Sequence, residues 1–138
     1  MFQTSAEVLA HFPAALHPKI EVIPRYLPEE LPSLLASCSV GVFPSYIEGM
    51  PFGVLEMLAA SIPVIAYDSP GPPMMLPPEY LVPRGDVTTM ASKTAKLLKD
   101  KLELSQARLW AKKQSQHFQW PEIAKTTSET YTKLSEMK

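Results

Sequence analysis

The sequence has little of what disulfide-bonded, metal-stabilised and membrane-spanning proteins need. Its one cysteine, Cys38, excludes an internal disulfide, and with three scattered histidines it cannot complete a four-ligand zinc site. No apolar run approaches the roughly 20 residues of a transmembrane helix. The first ten residues also lack the basic flank and apolar centre of a signal peptide. We therefore expect a cytoplasmic protein with no structural metal and no transmembrane segment.

Positive charge is scarce in residues 1–83, which hold two cations, Lys19 and Arg25, against eight acids. Residues 84–138 hold eleven cations and six acids, mixed at helical spacing. Mixed charges at this spacing favour a solvated helical face over a nucleic-acid or lipid patch. We expect no nucleic-acid partner.

Proline is abundant, with 15 residues, and six of them fall in residues 70–83. Because proline lacks a backbone donor and restricts the residue before it, this stretch predicts an ordered loop that leads to a short strand. The rest of the sequence alternates between amphipathic and β-branched segments. Helices are predicted at 4–16, 28–38, 52–60, 87–98, 102–118 and 121–134, and strands at 19–24, 39–44, 63–67 and about 80–83.

This alternation predicts an α/β fold: a doubly wound, Rossmann-like parallel sheet of about four strands with a helical C-terminal tail. The length fits a single domain, with an α/β core at 1–100 and the tail at 101–138. Thr4 or Ser5 is expected to begin the first helix, and Asp86 to cap the helix that follows it.

The loop after the strand at 39–44 is the candidate ligand site, because ligands of open parallel sheets bind beyond the carboxyl ends of the strands. Pro51 suits a helix start, since its φ is already fixed near the helical value. The free N–H groups of Gly49, Met50 and Phe52 could then converge on an anion at the positive end of that helix.

Two acids flank this predicted anion site. Glu56 lies four or five residues into the helix, about 6 to 8 Å from the anion, which matches the reach from a diphosphate to its ribose. A carboxylate accepts hydrogen bonds through both oxygens, so Glu56 could hold two ribose hydroxyls while Glu48 takes hydroxyls of a sugar. Acids beside a phosphate site favour a polyhydroxylated ligand over simple phosphate.

The same residues resemble the retaining glycosyltransferases of group 1 (family 4). The family motif is a strand ending in Pro-Ser, then Glu-Gly, a second Glu after seven intervening residues, and Pro-Val-Ile. Here these elements are Pro44-Ser45, the segment from Glu48 to Glu56, and 63–66. The resemblance identifies the chain as the C-terminal, donor-binding domain of a GT-B glycosyltransferase.

This resemblance implies transfer of a sugar from a nucleotide diphosphate donor, UDP- or GDP-linked, with retention at the anomeric carbon and without a metal or other cofactor. It implies that Glu48 is the catalytic residue on the donor sugar and that Glu56 binds ribose. Gly49, Met50, Pro51 and Phe52 would bind the sugar and phosphates, with Arg25 and Tyr26 near the nucleobase. Peripheral attachment to a membrane stays open for the complete enzyme, whose role would lie in polysaccharide biosynthesis.

Two features depart from the family pattern. Ser61 stands where the family usually has glycine, and the segment from Gly71 to Met74 stands where it has Gly-Gly followed shortly by Glu. The family's first two strands and its N-terminal, acceptor-binding domain precede the segment matched here, so we expect that domain as a partner in cis or in trans. The isolated chain is expected to be marginally stable and to transfer no sugar.

An alternative function is a non-catalytic or degenerate module that keeps nucleotide-sugar binding or a partner surface but has lost turnover. A nucleotide-sugar epimerase of similar fold is disfavoured, because the spacing from Glu48-Gly49 to Glu56 fits the transferases better.

Overall fold

The computed structural model describes residues 4–136, with the side chain of residue 136 left out. The described residues fall into two compact units, 4–34 and 35–136, and the boundary falls within helix α2. The α-helices are α1 Ser5–Leu9, α2 Leu31–Ala36, α3 Phe52–Ala59, α4 Val87–Lys99, α5 Lys101–Ser115 and α6 Trp120–Glu136. The strands are β1 Gly41–Phe43, β2 Val64–Asp68 and β3 Leu81–Pro83.

The first unit consists of short helical segments begun by local hydrogen bonds. Thr4 caps α1 in a reciprocal capping box, in which its amide donates to Glu7 Oε2 at 2.6 Å and its Oγ1 accepts from the Glu7 amide at 3.3 Å. The predicted helix over 4–16 ends at Leu9, because Pro13 interrupts it, and a 3₁₀ helix follows at Ala14–Lys19. The predicted helix at 28–38 is a 3₁₀ turn, Pro28–Glu30, continued by α2.

The predicted strand at 19–24 is wrong. Residue 19 ends a 3₁₀ helix, and residues 20–24 have neither helical nor strand structure. Ile23 in this segment is 42% exposed. A β-branched run becomes a strand only where a neighbouring strand completes its hydrogen bonds and covers its side chains, and no strand of the described chain does so here.

The second unit is built on a parallel sheet in the order β1-β2-β3. The α/β class and the parallel sheet are therefore confirmed, with three strands in the described chain rather than about four. In β2, residues 64–67 are buried and only Asp68 is exposed, as expected for a central parallel strand covered on both faces.

Alternate side chains of β2 enter two separate apolar clusters. The first cluster consists of Val54, Leu58, Val64, Ala66, Met75, Leu76 and Ala111. The second consists of Ile65, Tyr67, Val82, Met90, Leu97 and Ala107. Because successive strand side chains point to opposite faces, α3 covers one face of β2 and α4 the other, while α5 contributes to both clusters. This is the doubly wound arrangement that the sequence predicts.

Helix α3 ends in a Schellman motif. The Ile62 amide donates to the Met57 carbonyl and the Ser61 amide to the Leu58 carbonyl, both at 2.9 Å. This ending requires a left-handed residue, and Ser61 has φ +63°. The family that the sequence resembles is expected to have glycine at this position, because a side chain in this backbone conformation is strained.

The proline-rich segment forms two 3₁₀ turns, Pro72–Met74 and Pro78–Tyr80, and then enters β3 as predicted. Tyr80 stacks on Trp110 of α5, with ring centroids 4.6 Å apart. Partial burial, with the charges of Glu79 and Glu103, raises the pKa of Tyr80. Asp86 caps α4 as predicted, accepting from the Thr89 amide at 2.9 Å.

Candidate functional site

The loop between β1 and α3, residues 44–51, begins at the carboxyl end of β1 and carries Glu48. Glu48 is half-buried. Ser45 Oγ lies 2.7 Å from Glu48 Oε1, the shorter of its two contacts, and donates a hydrogen bond to that oxygen. A hydrogen bond to an ionised acceptor is among the stronger ones in proteins, so the Glu48 carboxylate is oriented before any ligand arrives.

The backbone of the Glu48 loop is held by the loop that follows β2. The Glu48 amide donates to the Pro70 carbonyl at 2.9 Å. The buried Ser69 donates through Oγ to the Ser45 carbonyl, also at 2.9 Å. Glu48 is thus fixed from two neighbouring strand ends, which is the kind of support that a binding or catalytic carboxylate needs.

Gly71 lies directly against Glu48 and has φ +111°. A Cβ atom at this position would lie 2.7 Å from Glu48 Cβ and 3.1 Å from the Glu48 carbonyl oxygen. Both the backbone conformation and the close approach therefore require glycine. The family pattern has a second glycine after this position, whereas here Pro72 starts a 3₁₀ turn.

The start of α3 provides part of the predicted anion site. Pro51 is buried and precedes the helix, with φ −78°. Within residues 4–136 the amides of Gly49 and Met50 donate no hydrogen bond, whereas the Phe52 amide donates to the Met50 carbonyl at 2.9 Å. The Phe52 side chain is 61% exposed. Two of the three predicted amides are thus available to a ligand, and the roles of 49–52 stay predictions.

Glu56 lies in α3, four residues after its first residue, and its side chain is exposed. Among the described residues its carboxylate takes part in no ion pair. A free carboxylate about one helical turn beyond the start of α3 at Phe52 has both oxygens available for hydroxyl groups.

Arg25 and Tyr26 belong to the first unit, where they line a surface depression of about 740 Å³ with Pro24, Leu27 and Glu30. Tyr26 is 50% exposed. An exposed aromatic ring beside a guanidinium is suited to a planar base, and the assignment of these two residues to the nucleobase stays a prediction.

Sequence patterns did not reveal Ser69 or the contact of Gly71 with Glu48, because both depend on how the loop after β2 crosses to the loop after β1. They also missed a group at the same edge of the sheet, formed by Tyr46, Tyr67 and Arg84. The one sequence signal that could have indicated the contact with Glu48 was the glycine at position 71, inside a proline-rich loop.

A parallel sheet covered by helices on both faces, with a supported carboxylate and free amides at its carboxyl end, belongs to the Rossmann-like class of α/β folds. Comparison with known families shows to which family the chain belongs. The model of the family described as "Glycosyl transferases group 1" matches residues 3–100, so the chain belongs to this family.

A solved structure with a similar fold is sucrose-phosphate synthase from Thermosynechococcus elongatus, with a TM-score of 0.79 at 24% sequence identity. The match covers 95% of this chain and 33% of that protein, so the chain spans about a third of its length. This likeness supports the fold. No curated protein matches the sequence significantly. In the described part of the chain, no helix is long and apolar enough to span a membrane.

Proposed function

We propose that the chain is the donor-binding part of a retaining glycosyltransferase that uses a nucleotide diphosphate sugar, with UDP or GDP as the nucleotide. Membership of the group 1 family supports glycosyl transfer. The observation that carries the proposal is the hydrogen bond from Ser45 Oγ to Glu48 Oε1, together with the contact of Glu48 with Gly71. These orient a carboxylate at the edge of the sheet where ligands bind.

In this proposal, Glu48 accepts hydrogen bonds from hydroxyls of the donor sugar, and Glu56 accepts two from the ribose. The free amides of Gly49 and Met50 meet a diphosphate oxygen near the start of α3. In the transfer, the bond from the anomeric carbon to the diphosphate oxygen breaks and a bond to the acceptor oxygen forms on the same face. The acceptor's proton passes to the leaving diphosphate, which departs as nucleoside diphosphate.

The acceptor site belongs to a separate N-terminal domain in this proposal, supplied in cis or in trans. Support comes from the length of the structural match, since the chain spans about a third of sucrose-phosphate synthase. One observation favours the alternative, a binding module without turnover: residues 35–83, which include the whole Glu48 loop, contain no lysine or arginine. A diphosphate bound there would find no positive side chain within this segment itself, which disfavours tight donor binding and turnover by its residues alone.

The experiment compares Glu56→Gln and Glu48→Ala in the complete enzyme, with Glu122→Gln, an exposed acid on α6, as a control. Because hydrogen bonds to charged groups are strong, Glu56→Gln is expected to weaken nucleoside diphosphate binding by about tenfold. Glu48→Ala is expected to lower turnover by about 100-fold with little change in nucleotide affinity, since its partner is the sugar. Calorimetry gives the affinities and donor consumption gives the rates.

Equal nucleotide affinity in the parent and Glu56→Gln would remove Glu56 from the ribose role. Unchanged turnover in Glu48→Ala would refute its catalytic role. Nucleotide-sugar binding without any turnover, when the N-terminal domain is supplied, would favour the binding module.

A further inference from the structure

Three residues from successive strand ends meet at the carboxyl edge of the sheet. Tyr46 follows β1, Tyr67 lies near the end of β2, and Arg84 comes directly after β3. The rings of Tyr46 and Tyr67 are 5.6 Å apart at 75°, an edge-to-face contact. The guanidinium carbon of Arg84 lies 5.8 Å from the centre of the Tyr46 ring, within the range of a cation–π interaction.

The surrounding structure fixes this group. Tyr67 is only 3% exposed, so it is a rigid base against which Tyr46, 57% exposed, is placed. The turn after Arg84 contains Gly85 with φ +84°, and a Cβ atom there would lie 3.4 Å from the Tyr46 hydroxyl oxygen. The turn that follows Arg84 thus passes within van der Waals distance of the exposed Tyr46 side chain.

The Arg84 guanidinium has no carboxylate partner within residues 4–136. The carboxylate of Asp86, two residues away, is occupied by Thr89, whose amide and hydroxyl donate to its two oxygens at 2.9 and 2.6 Å. Glu48 is engaged with Ser45. Asp68, at the end of β2, is exposed and makes no ion pair in the described chain. Arg84 is thus a cation held at a ligand-binding edge with its N–H groups unused.

We propose that Arg84, in cation–π contact with Tyr46, binds a phosphoryl group of the ligand at this edge of the sheet. A guanidinium beside an aromatic ring keeps N–H groups free to face solvent, and its planar edge matches two phosphate oxygens. Arg84 is also the first lysine or arginine after segment 35–83, which contains neither, so it supplies positive charge that the Glu48 loop lacks. The inference rests on the proposed function only in placing the ligand at this edge.

The phosphoryl group has two sources that share this chemistry, the diphosphate of the donor or a phosphate monoester on the acceptor. The test titrates the complete chain separately with inorganic pyrophosphate and with glycerol phosphate, following Arg side-chain and backbone NMR shifts. Arg84→Gln is compared with Tyr46→Leu and with Lys125→Gln, which removes an exposed cation from α6. Thermal unfolding of each variant checks that it remains folded.

Arg84→Gln is expected to weaken binding of at least one probe by about tenfold, because it removes a charged pair of donors. Tyr46→Leu is expected to cause a smaller loss of affinity, because the Arg84 charge remains but the aromatic ring beside it is removed. Lys125→Gln is expected to cause no loss. A loss confined to pyrophosphate assigns the donor's diphosphate, and a loss confined to glycerol phosphate assigns an acceptor monoester; either supports the site.

Equal effects of Arg84→Gln and Lys125→Gln would show a general charge effect and overturn the proposal. The proposal would also be overturned if neither probe bound the parent at about 10 mM, a concentration on the order of the dissociation constants of the weakest specific sites. If Glu56→Gln weakens nucleotide binding while Arg84→Gln changes the affinity for neither probe, the proposed donor site is supported and this inference fails. If Arg84→Gln weakens probe binding but the parent does not bind nucleotide sugars, this inference is supported and the proposed function fails.

Discussion

Residues 4–34 and residues 35–136 start their helices with the same local device, yet only the second unit has a core. Thr4 with Glu7 caps α1, and Asp86 with Thr89 caps α4. None of residues 4–34 is buried, whereas residues 41–111 contain both apolar clusters. Caps decide where a helix begins, but burial of apolar surface provides most of the stability that keeps it folded. The contrast separates local from tertiary contributions within one chain.

The sharpest way to break this contrast is to remove one side chain from each unit. Leu58 in α3 is fully buried, so Leu58→Ala is expected to cost about 2–5 kcal/mol in the free energy of unfolding. Leu27 in the first unit is 64% exposed, and Leu27→Ala is expected to change that free energy by less than about 0.5 kcal/mol. Urea unfolding at a constant m-value measures both. Comparable losses would mean that the first unit shares the core's stability.

Gly71→Ala tests whether the backbone around Glu48 is as constrained as its geometry indicates. A side chain at φ +111° and 2.7 Å from Glu48 Cβ is expected to cost about 1–3 kcal/mol and to displace the carboxylate. Gly49→Ala is the control for stability, because a Cβ there would meet nothing within 4 Å. Thermal unfolding compares the two, and a tolerated Gly71→Ala would contradict the close approach.

Ser61→Gly is expected to stabilise the second unit. Ser61 has φ +63° at the end of α3, and glycine removes the strain of a side chain in that conformation, by about 0.5–1 kcal/mol. Ser61→Ala keeps the Cβ atom and should give no such gain. The unfolding midpoint in urea measures the difference, and a loss of stability in Ser61→Gly would show that the serine side chain contributes something that glycine cannot.

The smallest expected effect is the pH dependence of the stability that the two capping carboxylates, Asp86 and Glu7, contribute. Hydrogen bonds from the Thr89 side chain and then its amide lower the pKa of Asp86, and the Thr4 amide lowers that of Glu7. A lowered folded-state pKa gives stability that is fully present above the ordinary pKa and is lost as the pH falls through the folded value. Asp86→Ala should therefore lower the Tm by a few degrees at pH 6 and by less at pH 3.

Glu7→Ala serves as the comparison, because it removes a carboxylate that accepts from the Thr4 amide at the start of α1, in a unit without buried residues. Global unfolding should be insensitive to it at either pH, while far-ultraviolet circular dichroism loses a small helical signal. A Tm shift as large as that of Asp86→Ala would contradict the division into a local and a tertiary contribution.

Much of the secondary structure was predictable because its signals are local. The caps at Thr4 and Asp86, the helix after Pro51, the proline-rich turns and the apolar run of β2 follow from hydrogen bonds and patterns within a few residues. The positions of Glu48 and Glu56 relative to β1 and α3 follow for the same reason, since both are set by spacing along one loop and one helix.

The strand predicted at 19–24 failed because strand formation depends on a partner that a local sequence window does not contain. For the same physical reason, only part of the candidate site could be predicted from the sequence. The amino-acid sequence determined the α/β pattern and the order of its motif residues. Only the tertiary structure brought Ser69 and Gly71 onto the Glu48 loop, and Arg84 onto Tyr46, because these contacts join residues 23 or more positions apart in the chain. Parallel strands place their carboxyl ends at one edge, whatever their separation along the chain.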